Sequence, residues 1–170
     1  QYGIRVNSST NCTISGNNAN NNVDGIDVFS SRNITITRNN ASNNDHRGIY
    51  LESSQAGRIS ENIANNNGWY GINLYLSWNC LVSENIANNN YNHGLGFLDS
   101  GNCVVDENNA CNNHWYGIWL DNSQNLTFSK NNVSNNFEGI SLQRSSKNCT
   151  FYGNNITNNQ GSGVRLYNTS

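Results

Sequence analysis

Apolar and polar residues alternate in short bursts along this chain, and the bursts return at an almost constant interval. Eight tetrads carry the first burst: Gly3-Ile4-Arg5-Val6, Gly25-Ile26-Asp27-Val28, Gly48-Ile49-Tyr50-Leu51, Gly71-Ile72-Asn73-Leu74, Gly94-Leu95-Gly96-Phe97, Gly117-Ile118-Trp119-Leu120, Gly139-Ile140-Ser141-Leu142 and Gly163-Val164-Arg165-Leu166. Their glycines lie 22, 23, 23, 23, 23, 22 and 24 residues apart. Period-two alternation predicts a strand with one face buried. A second burst follows each tetrad, as in Asn33-Ile34-Thr35-Ile36, Asn102-Cys103-Val104-Val105 and Asn125-Leu126-Thr127-Phe128, with Ala56-Gly57-Arg58-Ile59 a degenerate copy. A third segment contributes the small inward column Ala19, Ala41, Ala64, Ala87, Ala110, Val133 and Ile156. Three short strands per repeat cannot bury their apolar faces alone, so successive repeats must stack into a solenoid.

Asparagine is the second periodic signal. Asn17, Asn39, Asn62, Asn85, Asn108, Asn131 and Asn154 share one position of the repeat. Asn21, Asn43, Asn66, Asn89, Asn112, Asn135 and Asn158 share another, each followed by a further Asn. Asn tolerates left-handed backbone at turns, and stacked amides can donate to and accept from one another in continuous ladders. A disordered Asn-rich tract would not hold apolar columns in register over seven copies. A leucine-rich repeat would show L-x-x-L-x-L before a helical segment, and a hexapeptide helix a six-residue submultiple; neither pattern is present. The reading is all-β: a right-handed, single-stranded parallel β-helix of about seven coils of 22–24 residues, forming a single domain over residues 1–170.

Composition narrows the function classes. The net charge is −2 and only 12% of residues are charged, so there is no basic footprint for nucleic acid. No apolar run approaches the ~18 residues of a membrane span, so no membrane insertion is expected. The chain starts at Gln1 and stops at Ser170, both within repeats, and open strand ends invite pairing unless capped. It is therefore expected to be a piece of a longer protein, with caps or other domains of the same chain as partners. Cys12, Cys80, Cys103 and Cys149 fall in an inward column, where cysteine acts as a small hydrophobe. Cys80 and Cys103 occupy adjacent coils, which leaves a disulfide between them open. Nine N-x-S/T sequons, at Asn7, Asn11, Asn33, Asn40, Asn125, Asn132, Asn148, Asn155 and Asn168, fit a surface protein. Several of them are expected to fall in the ladders, where a glycan has no room.

Candidate chemistry gathers where the chain enters four of the tetrads. Those turns place His46, Trp69, Asn92 and Trp115 in one column and Arg47, Tyr70, His93 and Tyr116 in the next. The outward strand positions add Tyr50, Glu52, Tyr75 and Trp119. Flat rings match the C–H faces of sugars, and the interleaved polar groups match their hydroxyls. The predicted substrate-binding set is Arg47, Tyr50, Glu52, Trp69, Tyr70, Tyr75, His93, Trp115, Tyr116 and Trp119. The same rings could instead pack under a partner domain. Asp99 and Asp121 sit in neighbouring columns on adjacent coils, a spacing compatible with paired carboxylates. With His93 they are the catalytic candidates for a polysaccharide hydrolase or lyase. Glu61, Glu84 and Glu107 form a carboxylate column that could attract Ca²⁺, but no metal site or other cofactor is assigned.

The G-I-x-L tetrad, the N-x-T-I strand and the N-N-A-x-N-N ladder together resemble the NosD/CASH-type right-handed β-helix repeats, which are pectin-lyase-like in fold. That resemblance covers the whole chain and implies an archaeal or bacterial cell-surface or carbohydrate-active protein. No catalytic motif of the pectate lyase or polygalacturonase families can be carried over. Copper handling, implied by the NosD label, has little to rest on. There is no methionine, and His46, His93 and His114 occupy three different turn columns. The expectation is an extracellular module recognising or processing polysaccharide. The alternatives are an adhesive stalk docking another domain, or a complete hydrolase or lyase site.

Overall fold

The computed structural model describes residues 1–168. Eight longer strands occupy the tetrads: β1 (Tyr2–Asn7), β3 (Asp24–Phe29), β5 (Ile49–Glu52), β7 (Tyr70–Tyr75), β9 (His93–Leu98), β11 (Tyr116–Asp121), β14 (Glu138–Gln143) and β17 (Val164–Tyr167). Each pairs in parallel with the next, giving one sheet in the order β1-β3-β5-β7-β9-β11-β14-β17. Seven three-residue strands build the second sheet: β2 (Thr13–Ser15), β4 (Thr35–Thr37), β6 (Arg58–Ser60), β8 (Leu81–Ser83), β10 (Val104–Asp106), β12 (Thr127–Ser129) and β15 (Thr150–Tyr152). The third face holds β13 (Asn132–Ser134) and β16 (Asn155–Thr157), preceded by single parallel bridges through Asn18, Asn40, Ile63, Ile86 and Asn109. The fold is therefore a parallel β-solenoid of about seven turns, as the repeat period predicts.

Register follows the repeat. Ile26, Ile49, Ile72, Leu95, Ile118 and Ile140 stand directly above one another, as do Ile36, Ile59, Val82, Val105 and Phe128. These columns and the alanine column form one continuous buried cluster. The cysteines of the second column are free thiols. Cys12, Cys80, Cys103 and Cys149 each donate Sγ–H to the carbonyl two residues earlier. The Cys103 thiol is held above its ordinary value by the neighbouring Cys80 thiol and by burial.

Four corners per coil turn the chain, and each is a residue in left-handed backbone. Asn21, Asn43, Asn66, Asn89, Asn112, Asn135 and Asn158 have φ of 55–60°. That column is exposed; the Asn after it points inward and carries the ladder. Asn22, Asn44, Asn67, Asn90, Asn113 and Asn136 each donate backbone N–H to the side-chain oxygen of the next coil's Asn at 2.8–3.0 Å. The Asn17 column does the same at 2.9–3.0 Å. A third ladder, of serine, joins Ser9, Ser31, Ser54, Ser77, Ser100, Ser123 and Ser146 at 3.1–3.2 Å. At three of the four corners the residue after the left-handed position turns inward and its side chain satisfies the buried backbone there. After the fourth, at Asn33, Asn79, Asn102 and Asn125, the inward residues Ile34, Cys80, Cys103 and Leu126 join the core instead.

This corrects the reading of the sequons. None of the nine Asn residues lies in a buried ladder; every one is exposed or half-exposed.

Candidate functional site

The outer face of the eight-stranded sheet carries the strip of aromatic and polar residues. Backbone bonds from Trp69 N to His46 O, Asn92 N to Trp69 O and Trp115 N to Asn92 O place those four residues in one stacked column. The β7–β9 pairing sets Tyr70 against His93. Three residues further, Asp27, Tyr50, Asn73, Gly96, Trp119, Ser141 and Arg165 form the next outward column. The predicted columns hold in register.

Packing divides the strip into two kinds of residue. Trp69 and Trp115 are 44% and 45% exposed, while Tyr70 and His93 are 8% and 5% exposed. Gly96 explains the difference. A Cβ there would lie 2.9 Å from Tyr70 Cε1, so the glycine makes the recess into which the Tyr70 ring drops. Tyr70 stacks on Trp119 at 6.3 Å, and His93 lies 5.1 Å from Tyr70, 4.8 Å from Tyr116 and 4.9 Å from Trp119. His93 Nδ1 accepts the backbone N–H of Tyr116 at 3.3 Å. Burial lowers His93 to about 3 and pushes the Tyr70 hydroxyl up to about 12, so both side chains are neutral near pH 7. This cluster is a scaffold: it holds the flanking tryptophans, Trp69 against His46 and Tyr70, and Trp115 against Tyr116 and Phe137. Replacing Gly96 with Val would evict Tyr70 from its recess and cost about 1–3 kcal/mol by overpacking, read as a lower thermal midpoint together with a shifted tryptophan emission.

The arginines of this face are all engaged. Arg47 packs over the Tyr50 ring at 3.9 Å and lies 3.8 Å from Asp24. Arg5 pairs with Asp27 at 3.1 Å, Arg165 with Glu138 at 2.6 Å, and Arg144 with both oxygens of Asp121. Each carboxylate partner is nearly buried. Desolvation keeps the Asp27 carboxyl above its ordinary value despite Arg5. Glu52 and Tyr75 are half-buried at the far end of the strands.

The three catalytic candidates are not assembled. Asp99 and Asp121 do share a small groove with Leu98, Asn122 and Arg144 at the exit corner of the sheet. Asp99 accepts a bond from Asn122 Nδ2 at 2.6 Å, and Asp121 is locked to Arg144. His93 begins its strand, six extended residues before Asp99 and so about 20 Å away. The Glu61–Glu84–Glu107 column is flanked by cations, with Arg38 at 3.9 Å from Glu61 and Lys130 at 2.7 Å from Glu107.

Sequence reading missed several features: the Arg–carboxylate pairs, the Gly96 recess, and the stack of Tyr91 on His114 at 5.3 Å and 8°. The Tyr91–His114 stack was legible in principle, because Asp45, Gly68, Tyr91 and His114 recur at 23-residue spacing.

The molecule is a parallel β-solenoid repeat protein with an aromatic outer face. It belongs to the NosD family, described as periplasmic copper-binding protein, which matches residues 1–170. No curated protein matches the chain. Among solved structures it is similar to the periplasmic alginate epimerase AlgG, at 21% identity and a TM-score of 0.77, over 98% of this chain and 46% of that one. It is also similar to the Azotobacter vinelandii mannuronan C-5 epimerase AlgE4 A-module, at 20% identity and a TM-score of 0.76, over 85% of this chain and 45% of that one. The Dettilon tailspike protein gp208 matches at 17% identity and a TM-score of 0.75, over 97% of this chain and 41% of that one. At these identities the likeness is one of fold, and the chain spans less than half the length of each. The residues present do not fit copper. Among the described residues no three His, Cys, Asp or Glu side chains converge as a donor set. His93, moreover, is enclosed by aromatic rings.

Proposed function

We propose that this chain is an extracellular or cell-surface polysaccharide-recognition module, working within a larger protein alongside other domains of the same chain. The observation that carries this reading is the pair of exposed tryptophans, Trp69 and Trp115. They lie in one column two coils apart, about 10 Å, and are braced by the buried Tyr70 ring and the half-buried Tyr116 ring. That spacing is close to the length of a disaccharide, and rigid exposed rings offer sugar C–H faces a surface that loses little entropy on binding. Support of a broader kind comes from the NosD family and from AlgG, both described as periplasmic. The epimerases of like fold are named for alginate and mannuronan, and the exposed sequons suit a surface location.

Recognition fits the geometry better than turnover. Asp121 is committed to Arg144, and His93 is neutral, enclosed and remote from Asp99.

The test is a polysaccharide panel in which binding, new reducing ends and unsaturated products are read together. Binding without products is expected. Trp69→Ala and Trp115→Ala should each weaken it about tenfold, the equivalent of about 1.4 kcal/mol, with the melting temperature nearly unchanged. New reducing ends or unsaturated products would overturn the recognition reading and return attention to Asp99 and Asp121. Silence across the panel would favour a stalk whose aromatic face docks another domain.

A further inference from the structure

The column beside the tryptophans contains a gap. Asp45, Gly68, Tyr91 and His114 follow one another at 23-residue spacing. Backbone bonds from Gly68 N to Asn44 O, Tyr91 N to Asn67 O and His114 N to Asn90 O hold them in register. Tyr91 and His114 stack face to face along the solenoid axis at 5.3 Å and 8°. The opposite face of the Tyr91 ring looks toward the preceding coil, where Gly68 supplies no side chain. A Cβ on Gly68 would lie 2.0 Å from the Asp45 carbonyl oxygen, so the backbone itself requires the glycine and keeps the gap open. Tyr91 is 67% exposed, the most exposed of the large hydrophobic residues among those described.

The gap opens into a groove of about 440 Å³ lined by Asn66, Asn89, Asn112, Gly68, Tyr91 and His114, together with the laddered Asn67 and Asn90. The three corner amides of this lining project at a repeat of about 4.8 Å, because Asn66, Asn89 and Asn112 are the exposed left-handed corners of successive coils. Amides both donate and accept, which suits hydroxyls; a ring face suits the apolar side of a pyranose. Among the described residues no carboxylate, lysine or arginine lines the groove.

Charge on the adjoining sheet points the same way. Arg5, Arg47, Arg144 and Arg165 are each paired with a buried carboxylate: Asp27, Asp24, Asp121 and Glu138. Asp45, in the same column as Gly68 and against its backbone, is in no ion pair among the described residues, so the unpaired carboxylate beside the groove is negative. A polyuronate on this face would have to break an existing ion pair to reach an arginine, and would meet the Asp45 carboxylate beside the groove.

We propose that the Tyr91–Gly68 groove is a binding subsite for a neutral sugar ring, and that this chain selects non-acidic polysaccharide over polyuronates. The inference rests on the polysaccharide-recognition reading and names its substrate class. It also separates the chain from the alginate-named proteins whose fold it shares.

The experiment is isothermal titration of the intact chain with neutral hexose oligomers and with oligouronates of matched length. Neutral oligomers should bind at least about tenfold more tightly. Tyr91→Ala should weaken them by about tenfold, and His114→Ala by several-fold through loss of the ring that supports Tyr91. Both residues are exposed, so the melting temperature should hold and report that each variant is folded. Tighter binding of oligouronates would overturn the proposal. Neutral binding that survives Tyr91→Ala but is lost in Trp115→Ala would overturn the groove as a subsite while leaving the tryptophan strip standing. Binding of neither oligomer class would overturn both readings together.

Discussion

Asn85→Ala should destabilise the solenoid by about 4 kcal/mol, a large fraction of the stability of a domain this size. Asn85 Oδ1 accepts both the backbone N–H and the side-chain amide of Asn62, each at 3.0 Å. Its Nδ2 donates to Ile59 O at 2.9 Å and to Asn108 Oδ1 at 3.0 Å. The site is 1% exposed, so water cannot replace these bonds. Truncation strands the buried backbone N–H of Asn62, whose side-chain amide keeps Ile36 O and Ser60 O, and removes a donor from Ile59 O and from Asn108 Oδ1. The stranded group costs about 1–3 kcal/mol and each further lost bond about 1 kcal/mol, before any cavity term. The control is an asparagine four residues away. Asn89 sits at φ 56°, exposed, with its backbone N–H bonded to Cys111 O. Asn89→Gly keeps that bond and suits the left-handed backbone, so its effect should stay within about 0.5 kcal/mol. Urea midpoints of the two variants check this. Equal losses would mean that the ladders contribute no more than the corners do.

Acidification should destabilise the protein through His93. Its folded value is about 3, against an ordinary 6.5, because burial disfavours the imidazolium. Between those values the unfolded chain binds a proton that the folded chain refuses, so stability rises with pH in that window and is lost as pH falls below about 6.5. The slope approaches about 1.4 kcal/mol per pH unit, and the loss between pH 6.5 and 4.5 comes to roughly 2.3 kcal/mol. The rings of Tyr70, Tyr116 and Trp119 surround it, and among the described residues no carboxylate pairs with it. His93→Phe supplies the comparison. It keeps a ring in the cluster, loses the acceptor for Tyr116 N–H at every pH, and leaves Asp27, whose raised carboxyl acts in the opposite sense, unchanged. The difference in stability between native and variant should therefore shrink as pH falls from 7 to 4.5. A difference independent of pH would show that His93 is already protonated, or that the cluster opens to water.

Most of the fold was legible because a repeat reports itself many times over. Ile49 alone could belong to a helix or a strand. Ile26, Ile49, Ile72 and Ile118 at one spacing, each two residues before a second apolar residue, leave one arrangement. The asparagine columns were legible for the same reason. Which of two adjacent asparagines turns inward was less so, since Asn66 and Asn67 differ only in backbone: one adopts positive φ, the other points into the core. The serine ladder was in plain view as Ser31, Ser54, Ser77 and Ser100, yet serine is common enough in turns to pass as loop composition.

The candidate site was legible as columns and not as surfaces. Spacing placed Trp69 above His46 and Tyr70 beside His93, and the structure keeps those alignments. Spacing could not say that Gly96 admits the Tyr70 ring, that this ring buries His93, or that Gly68 leaves one face of Tyr91 free. Nor could it pair Arg144 with Asp121, since the two lie in adjacent columns where reach and rotamer decide the contact.

From the sequence alone follow the period, the two strands of each coil, the inward columns and the alignment of the turn residues with their counterparts; the expected third strand is a single bridge in most coils and a strand only at β13 and β16. These depend only on backbone repetition and on which residues avoid water. The tertiary structure decided which aromatic rings are scaffold and which are surface, which charges are spent on one another, and where the strip has a gap. Those outcomes depend on side-chain packing between neighbouring coils, where one glycine changes the environment of the residues above and below it. A repeat pattern records that such a residue is small, but not what its neighbours do with the space.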